Sequence, residues 1–113
     1  MSNQARKHRG YKSQDILAGY LVSTNLFPYA LSAGAGRTGS DVTGTPGIDW
    51  EVKARAGFNP TAALKQLKDR DEGKLGIAVL RLNGQGEKNI GDWACVMRLE
   101  DVVNLLIKAG YGK

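Results

Sequence analysis

The spacing of apolar and polar positions changes several times along the chain, and each change marks a predicted element. In the segment SQDILAGYLVSTNLF, apolar side chains recur at i, i+1, i+4 and i+5, which is typical of an amphipathic helix. We expect Ser13 to cap this helix. Phe27 and Pro28 are expected to end it, because the residue before a proline avoids the α region.

Short apolar stretches separated by glycine-rich turns predict strands after this helix. PYALSAGAG and SDVTG are predicted to be short strands, and IDWEVKA a longer one. The turn GTPG is expected to join the second and third strands into a hairpin. KLGIAVLRLN is apolar almost throughout, which predicts a central strand covered on both faces, and WACVMRL is predicted to be the last strand.

Two further helices complete the predicted order. NPTAALKQLKDRDEG should be capped by Asn59, start with Pro60 and end at Gly73, with Lys65, Lys68 and Arg70 on its surface. EDVVNLLIKAG is predicted to be a last amphipathic helix. The order αβββαββα predicts an α/β fold with a single mixed β-sheet flanked by helices. A helix between IDWEVKA and KLGIAVLRL permits a parallel crossover of these strands.

Composition limits the class of protein. A chain of 113 residues with 42% hydrophobic residues predicts one globular domain. The chain contains no apolar run of about 18 residues, so no membrane span is expected. The segment MSNQARKHRG lacks the apolar core of a secretory signal. The single Cys95 excludes an internal disulfide, so we expect a cytoplasmic protein, in the host cytoplasm if it is phage-encoded. Cys95 and the single His8 are too few for a structural zinc site.

A net charge of +5 favours a polyanionic partner. Cationic side chains crowd residues 1–12, which we separate as a basic N-terminal arm from a domain at 13–113. The arm is either a solvated tail or a nucleic-acid-binding segment.

Acidic side chains concentrate on one predicted strand. Because side chains alternate faces, IDWEVKA places an apolar row on one face and Asp49, Glu51, Lys53 and Arg55 on the other. The hairpin is expected to bring Asp41 across from this polar row. Clustered carboxylates repel unless a cation relieves them, and Mg²⁺ binds one or two carboxylates, waters and substrate phosphate. The alternative is an exposed strand on which Glu51 and Lys53 are simply solvated.

The stretch SDVTGTPGIDWEVKAR resembles the bipartite motif of PD-(D/E)XK nucleases. The resemblance covers residues 11–108 and implies a restriction-endonuclease-like core with αβββαβ order. It implies that Asp41, Glu51 and the Val52 carbonyl bind Mg²⁺, with Mn²⁺ as an alternative metal, and that Lys53 is catalytic. Within the superfamily the chain is most similar to Holliday junction resolvases of the archaeal and phage type.

Two positions depart from the family pattern. Ser40 replaces the proline before the first aspartate. The glutamate that many members carry in the first helix is absent, and either Gln14 or Asp15 occupies that region.

Other polar residues complete the prediction. Asp49 is either an extra ligand or a solvated charge at the rim, and Gln66 is either an active-site hydrogen-bonding group or a surface residue. Cationic residues are candidates for contacts with the DNA backbone: Arg6, Lys7, Arg9, Lys12, Arg37, Arg55, Lys65 and Lys68.

The sequence therefore predicts a Mg²⁺-dependent DNA endonuclease, a homodimer that resolves four-way or other branched DNA. The alternatives are a restriction-type or repair nuclease on the same core, a non-catalytic DNA-binding module, and a soluble scaffold protein.

Overall fold

The computed structural model describes residues 3–34, 39–54, 59–71 and 73–112, with only the backbone for 3–10. The chain is an α/β fold whose helices and strands follow the predicted order. The elements are α1 (Asn3–Ser23), β1 (Leu31–Ser32), β2 (Val42–Thr43), β3 (Ile48–Ala54), α2 (Pro60–Asp69), β4 (Leu75–Arg81), a 3₁₀ helix (Glu87–Asp92), β5 (Ala94–Val96) and α3 (Leu99–Lys108).

The strands form two sheets rather than the single predicted sheet. The larger sheet has the order β3-β4-β5, and the smaller one pairs β1 with β2. β3 and β4 are parallel, with Glu51 opposite Ala78, and β5 is antiparallel to β4. The parallel crossover and the central position of β4 are therefore confirmed, and the larger sheet is mixed.

The predicted hairpin between β2 and β3 is wrong, because β2 pairs with β1 instead. Leu31 lies opposite Thr43 in this antiparallel pair. At the end of β2, Gly44 has a φ of +75° and lies against the backbone of Tyr29, where a Cβ atom would collide with the Tyr29 carbonyl. This close approach holds β2 beside the segment that leads into β1.

α1 starts ten residues earlier than predicted. It includes most of the basic arm, so Ser13 lies inside the helix and is not its N-cap. The Ser13 side chain is fully buried, and its hydroxyl accepts a hydrogen bond from the Arg81 guanidinium at 3.0 Å. The helix ends at Ser23, before the predicted end at Phe27. No helix in the described part of the chain combines the length and apolar character needed to cross a membrane.

The two faces of the larger sheet are covered by different helices. On one face, Trp50, Val52 and Val79 pack with apolar side chains of α1. On the other face, Ala78 packs with Ala63 and Leu67 of α2. Because Glu51 is the register partner of Ala78, the polar row of β3 shares the face covered by α2.

α2 begins as predicted. The Asn59 side chain accepts a hydrogen bond from the Ala62 amide at 3.1 Å, and Pro60 is the first helical residue. The helix ends at Asp69 with Arg70 as its C-cap, short of the predicted end at Gly73. In a crossover between parallel strands the helix runs back against them, so its end lies near the start of β3. This geometry brings Arg70 close to Asp49.

Candidate functional site

The outer edge of β3 is covered by the short segment Ser40–Asp41. The Trp50 amide donates to Ser40 Oγ at 2.9 Å, and the Asp41 amide donates to the Trp50 carbonyl at 2.9 Å. The Val52 amide then donates to Asp41 Oδ2 at 2.7 Å. The Asp41 carboxylate therefore occupies the place of a backbone carbonyl in a strand ladder, which fixes it beside β3.

Ser40 contributes directly to this arrangement. Its hydroxyl donates to the Val42 carbonyl at 2.7 Å while it accepts from Trp50. A proline at this position has no hydroxyl and makes neither bond. The departure from the family pattern at Ser40 thus has a structural role in placing Asp41.

Burial raises the pKa of the half-buried Asp41 carboxyl from 3.8 to about 6. The hydrogen bond from Val52 acts in the opposite direction, and the neighbouring negative charge of Glu51 raises the pKa further. The charge of Glu51 thus acts on Asp41 in the direction expected for neighbouring carboxylates.

Glu51 and Lys53 lie on the same face of β3. Glu51 is buried, and Lys53 Nζ lies 3.8 Å from Glu51 Oε2. The N–H and C=O of one strand residue point to the same edge, so the Val52 carbonyl points to the edge on which Asp41 lies. Asp41, Glu51, the Val52 carbonyl and Lys53 are thus brought together at one edge of the sheet.

Arg70 is the residue of this site that sequence reasoning missed. Its guanidinium donates to both oxygens of Asp49, at 2.7 and 3.1 Å, and to Glu51 Oε1 at 3.0 Å. The hydrogen bond to Asp49, followed by that to Glu51, raises the pKa of Arg70 above its usual range. The prediction of a surface position for Arg70 is therefore wrong. The sequence feature that indicates a buried cation here is the pair of acids on a strand face that α2 covers, because buried carboxylates need a cation.

For Asp49, the structure contradicts one of the two alternatives, the solvated charge at the rim. Its side chain is buried and held by the bidentate contact with Arg70, so it is not a solvated charge at the rim. In this position it orients Arg70, which in turn contacts Glu51. Asp49 acts on the site through Arg70.

The two candidates in α1 are clearly distinguished. Gln14 is buried, and its Oε1 accepts from Ser32 Oγ at 3.1 Å, whereas Asp15 is exposed. Ser32 is the register partner of Val42, the residue that follows Asp41. Gln14 therefore supports the strand pair next to Asp41.

Lys68 lines a cavity next to Asp49, whereas the other remaining predicted residues are exposed or lie outside the described part of the chain. Gln66, Lys68 and Lys12 are exposed, and Lys65 is exposed and paired with Asp69 at 2.8 Å. Arg37 and Arg55 lie outside the described residues, and so do the side chains of Arg6, Lys7 and Arg9. A continuous basic track for DNA stays a prediction.

The donor set determines which cation fits the site. Within the described ranges there is no group of three or more His, Cys, Asp and Glu side chains arranged to hold a metal ion. Asp41, Glu51 and the Val52 carbonyl supply oxygen atoms only, which suits a hard cation that keeps several waters. The raised pKa of Asp41 reflects burial first and the charge of Glu51 second, and a bound cation would stabilise the charged carboxylate against both. The residues therefore fit one Mg²⁺ ion if Glu51 shares its carboxylate with Arg70.

Comparison with known protein families, curated proteins and solved structures finds no match to this chain.

Asp41 should make the stability of the protein depend on pH. Its folded-state pKa lies above the unfolded value, so its stabilising contribution is fully present below pH 3.8 and is lost as the pH rises through about 6. Asp41→Asn keeps an acceptor for the Val52 amide and removes the charge. We expect this variant to be more stable than wild type at alkaline pH. Its free energy of unfolding should be about 1 to 2 kcal/mol higher, after allowance for solvent screening.

Urea unfolding at a series of pH values measures this difference. The gap between Asp41→Asn and wild type should close as the solution is made acidic. Asp15→Asn, which removes an exposed carboxylate from α1, is the matched control. A gap for Asp41→Asn that stays constant over the whole series would contradict the assignment.

Proposed function

We propose that this chain is a metal-dependent DNA endonuclease with a PD-(D/E)XK site on a restriction-endonuclease-like core. The observation that carries the proposal is the meeting of Asp41, Glu51 and Lys53 at one edge of β3. These are the three positions of the motif, and they come from two segments of the chain. The parallel crossover from β3 through α2 to β4 supports the core order.

In this proposal Asp41, Glu51 and the Val52 carbonyl hold Mg²⁺, with Mn²⁺ as an alternative. A bound divalent cation supplies an activated water and stabilises charge on a phosphate under attack. Lys53 orients that water or stabilises the developing negative charge, since its ammonium lies beside Glu51. Asp49 holds Arg70 and thereby positions the Glu51 carboxylate.

The proposed substrate is branched DNA, with a four-way junction as the preferred form. The net charge of +5 favours a polyanion, and the small size and basic N-terminal arm of the chain are most similar to those of junction resolvases. A junction is resolved by two symmetric cuts, which a homodimer with two-fold symmetry supplies with one interface.

A cleavage panel tests this proposal. Four-way, flapped, nicked and linear duplex DNA of equal length are incubated with the protein in Mg²⁺, in Mn²⁺ and with a chelator. We expect cleavage of the four-way DNA that requires the metal. Preferential cleavage of linear duplex would contradict the resolvase assignment and favour a restriction-type or repair nuclease on the same core.

A non-catalytic DNA-binding module is the second candidate, and one observation favours it. Glu51 Oε1 is already held by Arg70 at 3.0 Å, so part of the expected metal ligand is engaged. This candidate predicts binding of branched DNA without cleavage in either metal. In the same panel, salt-dependent binding with no cut products would select it over the nuclease.

A further inference from the structure

The last helix, α3, is almost entirely exposed. α2 and α3 both contain ten residues, but α2 buries Ala63 and Leu67 whereas α3 buries no residue. Among its apolar side chains, Leu99 is 77% exposed and Ile107 64% exposed. A helix of this length is marginal in isolation, since helices shorter than about 12 to 15 residues gain most of their stability from packing. An exposed apolar surface of this kind is typical of an interaction site.

Five of the six apolar side chains of α3 form one stripe, and Leu105 lies beside it. Residues at i, i+3, i+4, i+7 and i+8 lie along one side of a helix. In α3 this set, which we call the α3 seam, consists of Leu99, Val102, Val103, Leu106 and Ile107. Glu100, Asn104 and Lys108 recur every four residues on another side. The spacing matches the stripe by which one helix packs along another.

Charge argues against DNA as the occupant of the α3 seam. The charged residues in and next to α3 are Arg98, Glu100, Asp101 and Lys108, so two cations and two anions cancel. The chain as a whole carries +5. A polyanion would bind where the cations are in excess, and two copies of a basic protein meet with least repulsion at a neutral surface.

The ends of α3 complement each other. Its first turn contains Glu100 and Asp101, and its last turn contains Lys108. In an antiparallel pair the acidic first turn of one copy lies alongside the basic last turn of the other. The two helix dipoles then point in opposite directions, which is also favourable. A two-fold axis perpendicular to the helix produces this arrangement with identical surfaces.

We propose that the α3 seam is the interface between two copies of this chain, packed antiparallel about a two-fold axis. That two copies assemble is part of the proposed function; that they meet at α3 is inferred from exposure, pattern and charge. The test of the interface needs neither DNA nor metal. The interface can therefore be refuted while the nuclease assignment holds, and the nuclease assignment can be refuted while the interface holds.

The area of the seam indicates how far the interface extends. A stable interface buries about 800 Å² on each partner, more than one helix about 15 Å long is expected to supply. The exposed Tyr111 just beyond α3 and the exposed Cys95 on the short last strand β5 flank α3 in the chain. We therefore expect the interface to include them at its margin.

Analytical ultracentrifugation of the full chain over a wide concentration range tests this interface. Wild type is expected to sediment as a dimer. Leu106→Glu and Val103→Glu place a charge in the seam and should each raise the dimer dissociation constant roughly 30-fold or more. Asn104→Glu adds the same charge on the other side of α3 and should leave the dissociation constant nearly unchanged. A wild-type monomer at every concentration would overturn the proposal, and so would a dimer insensitive to Leu106→Glu.

A second measurement separates loss of the dimer from loss of the fold. Trp50 and Trp93 are buried away from α3, in the core beneath α1, so near-ultraviolet circular dichroism of the seam variants should match wild type.

Val103→Cys in a Cys95→Ser background should form an intermolecular disulfide on oxidation, because Val103 is close to the proposed axis. Asn104→Cys in the same background should not. Cross-linking through Asn104→Cys but not Val103→Cys would refute the α3 seam.

Discussion

Lys53→Met is expected to lower the rate of metal-dependent DNA cleavage by about 10²- to 10³-fold, the effect of removing one preorganised charge from a reaction centre. Lys53 Nζ lies 3.8 Å from Glu51 Oε2, so its ammonium is held beside the proposed metal ligands. Methionine keeps most of the side-chain volume and removes only the charge. Binding of four-way DNA should be nearly unchanged, because DNA affinity is spread over many phosphate contacts.

Single-turnover cleavage at saturating protein measures this loss, with binding followed separately in a chelator. Lys65→Met is the matched control: Lys65 is also a lysine paired with an acid, but it is exposed and lies on α2. Its cleavage rate should stay within a few-fold of wild type. Equal losses for Lys53→Met and Lys65→Met would remove the catalytic role of Lys53 and leave only a general effect of charge on binding.

Glu51→Gln is a less selective test than Lys53→Met. It should also abolish cleavage if Glu51 binds the metal. However, Glu51 accepts a hydrogen bond from Arg70, so the substitution changes two features at once. Loss of activity in Glu51→Gln combined with retained activity in Lys53→Met would assign the site to metal binding without a catalytic lysine.

The sequence predicts β3 and its neighbours well because their signals are local. Alternation in IDWEVKA separates Trp50 and Val52, which pack with α1, from Asp49 and Glu51, which lie on the face covered by α2. The continuous apolar run of β4 predicts its central position. The cap at Asn59 is a property of a few adjacent residues.

The errors concern pairings that depend on distant residues. β1 and β2 have two residues each, too few for a periodic signal, and their pairing depends on the close approach of Gly44 to Tyr29. α1 starts earlier than predicted because the cations before Ser13 continue the helix, in line with the high helix propensity of Arg and Lys. Asp41 does reach Glu51, but through Ser40 and the edge of β3 rather than through a hairpin.

Arg70 shows why part of the site was not visible in the sequence. It lies 19 residues from Glu51 and 21 residues from Asp49, and no local pattern links them. Two physical statements together would have found it. Buried acids require a cation, and a crossover helix returns its C-terminal end to the start of the preceding strand. Either statement alone leaves several candidate cations.

Arg70→Ala is expected to lower the free energy of unfolding by about 3 to 5 kcal/mol, because it leaves the buried Asp49 carboxylate without its cation and removes one of the two cations beside Glu51. Urea unfolding at neutral pH in a chelator measures the loss. The exposed pair of Lys65 and Asp69 provides the control, since Lys65→Ala should change the free energy of unfolding far less than Arg70→Ala. Similar losses for the two variants would mean that the Arg70 cluster behaves as a solvated surface pair.

Removing the charge of Asp49 together with Arg70 should reverse part of this loss. Asp49→Asn combined with Arg70→Ala removes the carboxylate that Arg70→Ala leaves without a cation, so the double variant should be more stable than Arg70→Ala alone. Saturating Mg²⁺ should likewise stabilise Arg70→Ala more than wild type, because a metal on Glu51 competes with the guanidinium only when Arg70 is present. The same Mg²⁺ effect in both proteins would place the metal away from Glu51. No Mg²⁺ effect in either protein would favour the non-catalytic module, in which the Arg70 cluster serves only to hold β3 and α2 together.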